Sequence, residues 1–164
     1  MDTTECMVAL EPGWYRGFTG YVNYNGVEAF VERATFELHY DGYITWNGGV
    51  WMGGCWRKGT WLFGRWENGT WENGRWQDGV WRDGVWEDGI WYDGTWHSGV
   101  WNKGDWYGGI WKSGVWYGGR WHDGTWYAGE WHDGTWHDGV WMGGEWKGGI
   151  WKCEKRFGMG AGGL

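Results

Sequence analysis

The 164-residue chain has little of what most domains use for catalysis or for crossing a membrane. Its only serines are Ser98 and Ser113, and no glycine-rich segment carries the lysine of a phosphate-binding loop, so no nucleophile or nucleotide site is indicated. No apolar run approaches the roughly 18 residues of a membrane helix. The acidic start, MDTTECMVAL, lacks the apolar stretch of a signal peptide. We therefore expect synthesis in the cytoplasm and no membrane partner.

Metal-binding and disulfide patterns are missing as well. The three cysteines, at positions 6, 55 and 153, are too scattered for a disulfide framework or a zinc site, and free thiols fit a reducing compartment. Three of the five histidines precede aspartate in the tripeptide HDG, in a slot that elsewhere holds Glu, Tyr, Lys or Arg. Such a variable slot is typical of a solvated position. The sequence predicts no catalytic residue, no cofactor and no metal site.

Charge and composition argue against two further classes of protein, those that bind nucleic acid and those that are disordered. The net charge is −7, and acids and bases are interspersed, which argues against a nucleic-acid-binding face. There is one proline but there are 36 glycines, a composition that often accompanies disorder. The 23 tryptophans argue against disorder, because they carry a very large apolar area.

The tryptophans form an internal repeat with a period of five. Trp occupies every fifth position from Trp46 to Trp151, and Gly every fifth position from Gly49 to Gly149, without insertion or deletion. The residue between Gly and Trp is Val, Ile or Thr in 14 of 21 pentads, which is a strand preference. The residue before Gly is Asp, Asn or Gly in 15 of 21, and these residues favour turns and left-handed conformations.

A period of five fits neither a helix nor a flat strand. A helix would scatter the tryptophans around its surface, and a strand would alternate them between two faces. A coil that turns a corner every five residues places all of them inside. Gly-x-Trp would then form the side of the coil, with Gly and Trp facing inward, and the next two residues would form the corner.

This pattern resembles the pentapeptide-repeat family, in which a small, a variable and a large apolar residue open each side of a square β-solenoid. The resemblance covers residues 46–151, with Gly in the small position and Trp in the central one. It implies an all-β, four-sided solenoid of about 5.25 coils, roughly 25 Å long. Each Trp would stack on the Trp twenty residues away, and corner carbonyls could accept the indole N–H groups. The alternative is that the tryptophans face outward as binding ladders.

Both flanks lack the repeat. In residues 1–45, Asn25-Gly26 and Asp41-Gly42 each separate two strand-like runs, which predicts a β-meander that caps the first coil, docks to a partner, or does both. Residues 152–164 are glycine-rich and basic, and we expect a flexible tail. The predicted organisation is therefore a cap at 1–45, a solenoid at 46–151 and a tail at 152–164.

With no indicated chemistry, we expect a non-enzymatic structural or interaction protein that contacts a protein partner, or itself, through its ends or one side. A four-sided register places the most apolar outer side at Tyr107 and Tyr127; the candidate contacts on that side and at the last coil are Tyr107, Tyr127, Ile90, Ile110, Ile150 and Trp151. The repeat is also similar to Trp/Gly repeats of tailed-phage virion proteins, which implies a tail, baseplate or fibre component. Two alternatives remain: an acidic rod that mimics DNA and binds a topoisomerase, and a module that binds carbohydrates or surfaces through exposed aromatic residues.

Overall fold

The computed structural model describes residues 9–152, which form strands and turns without a helix. All strands belong to one continuous sheet. The three long strands are β1 Gly13–Tyr24, β2 Val27–Leu38 and β3 Ile44–Trp56, and the short ones are β4 Gly59–Trp61, β5 Arg65–Trp66, β6 Thr70–Trp71, β7 Arg75–Trp76, β8 Val80–Trp81, β9 Val85–Trp86, β10 Ile90–Trp91, β11 Thr95–Trp96, β12 Val100–Trp101, β13 Asp105–Trp106, β14 Ile110–Trp111, β15 Val115–Trp116, β16 Arg120–Trp121, β17 Thr125–Trp126, β18 Glu130–Trp131, β19 Thr135–Trp136, β20 Val140–Trp141, β21 Glu145–Trp146 and β22 Ile150–Trp151. No helix in residues 9–152 is long and apolar enough to span a bilayer.

Both predicted hairpins are present. Asn25 and Gly26 have φ angles of 46° and 78° and join β1 to β2, and a loop containing Gly42 at φ 78° joins β2 to β3. The Asp41 carboxylate accepts the N–H of Tyr43 at 3.0 Å and stabilises that loop. β1 pairs antiparallel with β2, and β2 with β3. β3 then continues into the repeat, so this strand crosses the predicted boundary at residue 46.

From β3 onward the strands form a parallel β-solenoid of about seven coils. Each strand pairs with the strand fifteen residues further along the chain, as in Trp46 with Trp61 and Trp96 with Trp111. Three pentads therefore complete one coil. The expectation of a four-sided coil with partners twenty residues apart is wrong. The rod is also longer than expected, roughly 34 Å for seven coils at about 4.8 Å each.

The size of the indole explains why three sides suffice. Within a coil, consecutive tryptophans meet edge to face: the ring centroids of Trp61, Trp66 and Trp71 are 6.0 Å apart along the chain, with interplanar angles of 70° and 72°. In the last coil all three pairs are in contact, since the ring centroids of Trp141 and Trp151 also lie within 6.3 Å of each other, and three such rings fill a triangular cross-section. A fourth ring at the same spacing would separate the rings across the diagonal and open a gap, which close-packed interiors avoid.

The tryptophans face inward, as predicted, and the outward alternative is wrong for this part of the chain. Every repeat Trp from Trp46 to Trp136 is 1% exposed or less. Along the axis the indoles stack in three ladders. Trp96 lies 4.7 Å from Trp81 and 4.8 Å from Trp111, measured between ring centroids, with interplanar angles of 5° and 6°. Each indole is thus covered by its neighbours in the flanking coils.

The strands β5 to β22 contain only Trp and the residue before it, so glycine lies at the corner and not on the extended side where it was expected. Glycine is required there mainly because neighbouring backbones approach closely. Gly94 has φ +115°, and a Cβ added there would lie 2.4 Å from the carbonyl oxygen and 2.9 Å from the nitrogen of Gly79 in the preceding coil. The expectation that glycine makes room for the indole holds at Gly74, where an added Cβ would lie 3.1 Å from an indole carbon of Trp71, but the backbone of Gly59 is the nearer obstacle.

The residue before each glycine has a role that the sequence did not indicate. The left-handed conformation lies on the glycine itself, since Asn25 and Arg33 are the only described non-glycine residues with positive φ. Aspartate and asparagine instead accept the N–H of the following glycine through Oδ1. The nine residues that do so are Asn68, Asn73, Asp78, Asp83, Asp88, Asp93, Asp123, Asp133 and Asp138.

Main-chain hydrogen bonds connect every coil to the next. The N–H of Lys112 donates to the Trp96 carbonyl at 2.8 Å, and the N–H of Ile110 to that of Gly94 at 2.9 Å, a pattern repeated along the rod. Two indoles use corner carbonyls as predicted: Trp101 donates to Gly118 at 3.2 Å, and Trp111 to Ala128 at 3.1 Å. The other fully buried indoles reach no acceptor among the described residues, so corner carbonyls account for these two only.

Candidate interaction surfaces

The two ends of the solenoid differ in how their strand edges are covered. At the N-terminal end, β2 runs antiparallel along β3, from Leu38 opposite Ile44 to Glu28 opposite Cys55. The first indole ladder continues into this layer, because Phe36 stacks on Trp46 at 5.6 Å with an interplanar angle of 5°. Tyr15 stacks in turn on Phe36 at 5.0 Å. The first coil therefore has a neighbour on both sides.

At the C-terminal end, the last coil is covered differently. Among the described residues, β20 and β21 pair only with β17 and β18 of the coil before, and β22 pairs with β19. Trp141, Trp146 and Trp151 are partly exposed, unlike every earlier Trp of the repeat. Apolar side chains surround them: Val140 is 49% exposed, and Met142 and Ile150 are each 58% exposed. Within residues 9–152, β20 and β21 therefore combine an edge without a ladder partner with exposed apolar side chains next to it.

The side of the last coil that contains β21 carries charged side chains. The Lys147 ammonium lies 2.8 Å from the Glu130 carboxylate and 3.9 Å from that of Glu145. The hydrogen bond from Lys147, followed by that from His132, lowers the pKa of Glu130, and the bond to Glu130 raises the pKa of Lys147. Glu145 and Lys147 are both exposed and stand on either side of Trp146. An acid and a base thus flank one edge strand.

The structure separates the candidate contact residues that the sequence placed on one side. Ile90, Tyr107 and Ile150 lie on one face, the face of β10, β13 and β22. Ile110 and Tyr127 lie on the next face, with β14 and β17. The predicted pairing of Tyr107 with Tyr127 is wrong, because residues that stack are fifteen positions apart. Trp151 and Ile150 belong to β22 in the last described coil, and a contact role for all six residues stays a prediction.

The true neighbours of Tyr107 form an outer column that sequence reasoning missed. Tyr92 stacks on Tyr107 at 5.5 Å, Tyr107 on His122 at 4.4 Å, and His122 on His137 at 5.1 Å. Beside it, the Arg120 guanidinium binds the Asp105 carboxylate through two contacts of 2.5 and 2.7 Å. The sequence signal for this column is the aromatic or His residue at positions 92, 107, 122 and 137, which are fifteen apart. Nothing in the five-residue repeat indicates that interval.

The groups that could carry chemistry are engaged in local contacts. Burial, followed by a 3.2 Å hydrogen bond to Glu72, raises the pKa of the Cys55 thiol to about 11, so the thiol is protonated at neutral pH. The carboxylates of Asp123 and Asp133, in HDG tripeptides, accept hydrogen bonds from the N–H groups of Gly124 and Gly134. Within residues 9–152, no three His, Cys, Asp or Glu side chains are grouped so that they could hold a metal ion.

Compared with protein families, with characterised proteins and with solved structures, the chain gives no significant match. A function for this protein must therefore be inferred from the ends and the outer faces of the solenoid itself.

Proposed function

We propose that the protein is a non-enzymatic structural component, a stiff rod that joins a larger assembly through its open C-terminal coil. The observation that carries this proposal is the difference between the ends. Trp46 in the first coil is 1% exposed beneath β2, whereas Trp141 and Trp146 are partly exposed on β20 and β21, which pair on one side only within residues 9–152. Unpaired strand edges are the surfaces through which sheets add further strands.

The interior supports a mechanical role. Three indole ladders run the length of the rod, and each pentad forms main-chain hydrogen bonds to the coil before it. Bending such a rod would separate stacked rings on one face and compress them on another, which a close-packed interior resists. A stiff rod of roughly 34 Å can hold two attachment points at a fixed distance.

The partner that best suits this end is a protein. Main-chain edges together with Val140, Met142 and Ile150 match a partner that supplies a strand and apolar side chains. The similarity of the repeat to Trp/Gly repeats of tailed-phage virion proteins suggests a tail, baseplate or fibre as the assembly in which to look for this contact.

The test compares an end variant with a lateral variant of the full chain in its native cells. Val140→Lys with Met142→Lys places two charges at the open end, and Ile110→Lys with Tyr107→Glu changes the outer faces at a distance from it. We expect the tagged parent and the lateral variant to migrate in a high-mass fraction on gentle size separation, and the end variant to migrate as free protein. If the folded end variant stays in the high-mass fraction, the end is not the attachment surface; release of the lateral variant alone would assign the contact to the sides.

A further inference from the structure

The corners of the coils differ in whether the chain itself supplies an acceptor for the N–H of the repeat glycine. In nine of them the Oδ1 atom of an aspartate or asparagine accepts this N–H. At Asp83, for example, Oδ1 lies 2.7 Å from the Gly84 nitrogen. These bonds show that a corner N–H can take a carboxylate oxygen as its acceptor.

Two neighbouring corners lack this acceptor. Ser98 and Ser113 precede Gly99 and Gly114, and neither glycine N–H has a hydrogen-bond partner within residues 9–152. The strands that lead into these corners, β11 and β14, pair in register, so the two corners lie one above the other, about 4.8 Å apart. All four residues are partly or fully exposed. One edge of the rod therefore presents two N–H donors, with two serine hydroxyls beside them.

Basic side chains accompany these corners. Arg82, His97 and Lys112 follow the buried Trp in three successive coils, whose strands β8, β11 and β14 pair with one another. Burial, followed by the positive charges of Arg82 and Lys112, lowers the pKa of His97, so both cations act on this ring. Within the described residues neither cation forms an ion pair, and the Lys112 ammonium instead lies 4.8 Å from the centre of the Tyr127 ring. In a chain of net charge −7, this column concentrates positive charge that no described carboxylate neutralises by contact.

We propose that this edge binds an acidic segment of a protein partner, with one carboxylate bridging the N–H groups of Gly99 and Gly114. The partner's carboxylate takes the place that an Asp or Asn oxygen holds at nine other corners. Two N–H groups about 4.8 Å apart are within reach of the two oxygens of one carboxylate, because N–H···O bonds are about 2.9 Å long. Neighbouring backbone N–H groups beside a cation are a common arrangement for binding an anion, and Lys112 is that cation here. This surface is separate from the C-terminal coil, so the inference goes beyond the proposed function.

The surroundings favour a protein carboxylate over a polyanion such as nucleic acid. Val100 and Val115 follow the two corner glycines and are partly exposed, so they can contact the methylene groups of an acidic side chain. Asp83 lies at the corner of the coil before, and Glu130 pairs with Val115 from the coil after. A chain of phosphates running along the rod would meet both acids, whereas one or two carboxylates fit between them.

A second pair of corners shows why the free N–H groups alone are not enough. Lys103 and Gly118 also precede repeat glycines in neighbouring coils, and neither side chain supplies an acceptor. There, however, the Lys103 ammonium lies 3.2 Å from the Asp88 carboxylate, so its charge is already paired. Of these two pairs of corners, only the one at Ser98 and Ser113 combines free N–H groups with unpaired bases.

Amide chemical shifts of the full-length chain, titrated with a hexaglutamate peptide capped at both ends, measure the contact at individual glycines. We expect the Gly99 and Gly114 resonances to shift and saturate with a dissociation constant of roughly a millimolar, because a few charged contacts at a solvated surface contribute little. The Gly84 resonance is the internal control and is expected to stay in place, since its N–H already bonds Asp83. A hexaglutamine peptide at the same ionic strength is expected to shift none of the three.

A variant that fills the corner tests the site without disturbing the fold. Ser113→Asp gives Gly114 the acceptor that nine other corners have, and we expect the affinity for hexaglutamate to fall about tenfold or more. Gly118→Asp is the matched control, because it adds the same charge at another corner without a positive φ, and it is expected to bind like the parent. Lys112→Gln keeps the N–H groups free but removes the cation, and is expected to weaken binding about twofold to fivefold. Thermal melts verify that each variant is folded.

Three results would each overturn the proposal. The first is a hexaglutamate titration in which the Gly99 and Gly114 resonances stay in place, or in which Gly84 moves as far as they do. The second is unchanged affinity in the Ser113→Asp variant. The third is a shift of the two resonances by inorganic phosphate at concentrations where hexaglutamate gives none, which would assign the edge to phosphate-bearing ligands. None of these measurements involves the C-terminal coil, so the proposed function and this inference can fail separately.

Discussion

The N-terminal and C-terminal coils contain the same kind of residue in the same pentad slots, yet one is fully covered and the other is not. Trp51 in the first coil is 1% exposed, because Val31 of β2 lies opposite it and Trp66 stacks beneath it. Trp146 in the last coil stacks on Trp131 at 5.0 Å, but has no described neighbour beyond it. A Trp in this fold is therefore buried by the coils on either side rather than by its own coil.

The largest effect should come from breaking the close approach of two central coils. Gly94→Ala places a Cβ 2.4 Å from the Gly79 carbonyl oxygen at a φ of +115°, where backbone and side chain are both strained. We expect a loss of more than about 3 kcal/mol, or failure to fold, measured by urea unfolding.

Gly108→Ala is the matched control for that change. Gly108 directly precedes the repeat glycine Gly109, and its φ is not positive. A Cβ added at Gly108 would meet only the Tyr92 carbonyl oxygen, at 3.4 Å. We expect a change within about 1 kcal/mol. Equal losses at the two positions would contradict the assignment of glycine to backbone contact.

The next effect compares the middle of the rod with its open end. Trp96→Ala should cost about 3–5 kcal/mol, because stacked and edge-to-face neighbours on every side would leave a cavity. Trp151→Ala should cost less than half as much, since that ring is already partly exposed. Urea melts followed by circular dichroism compare the two, and similar losses would mean that coils do not depend on both neighbours.

The sequence predicts only part of the structure on which these comparisons depend. The five-residue side, the inward Trp and the two N-terminal hairpins follow from local preferences at individual slots such as Val80, Trp81 and Gly26. The number of sides does not, because each pentad looks the same whether three or four of them close a coil. That choice depends on how indoles pack against one another. An error in it misplaces every lateral neighbour, so a four-sided register pairs Tyr107 with Tyr127 instead of His122.

A smaller effect tests whether the N-terminal strands cover the first coil. Phe36→Ala removes a ring that stacks between Tyr15 and Trp46, and should cost about 2–4 kcal/mol. Phe30→Ala lies on the same strand but is 37% exposed, and should cost under about 1 kcal/mol. Thermal unfolding distinguishes them. A capping role for the meander predicts this difference, and equal, small losses would argue that β2 only lies beside the rod.

The smallest effect concerns acidification near the open end. Burial, followed by the charges of His122, Lys152 and Arg120, lowers the pKa of His137 from its ordinary value of 6.5. Burial, followed by Arg82 and Lys112, lowers the pKa of His97 in the middle of the rod. In both cases the unfolded chain takes up the proton first. The stability that depends on these two histidines being neutral is therefore fully present above about pH 6.5. It declines as the pH falls from there through the lower pKa of the folded chain.

The two histidines should nevertheless report different events. His97 lies between coils that have neighbours on both sides, so its protonation should lower only the free energy of global unfolding. His137 lies one coil from the open end, where local opening exposes few contacts, so its protonation should favour fraying of the last coil. Hydrogen exchange at pH 7.5 and 5.5, corrected for intrinsic rates, should show faster exchange of the Ile150 and Lys152 N–H groups at the lower pH, without a matching change at Lys112. His137→Gln should remove that difference, and His97→Gln should leave it in place. A uniform acceleration along the rod would show that the last coil opens no more easily than the middle, and that the contrast between the two ends has no counterpart in their stability.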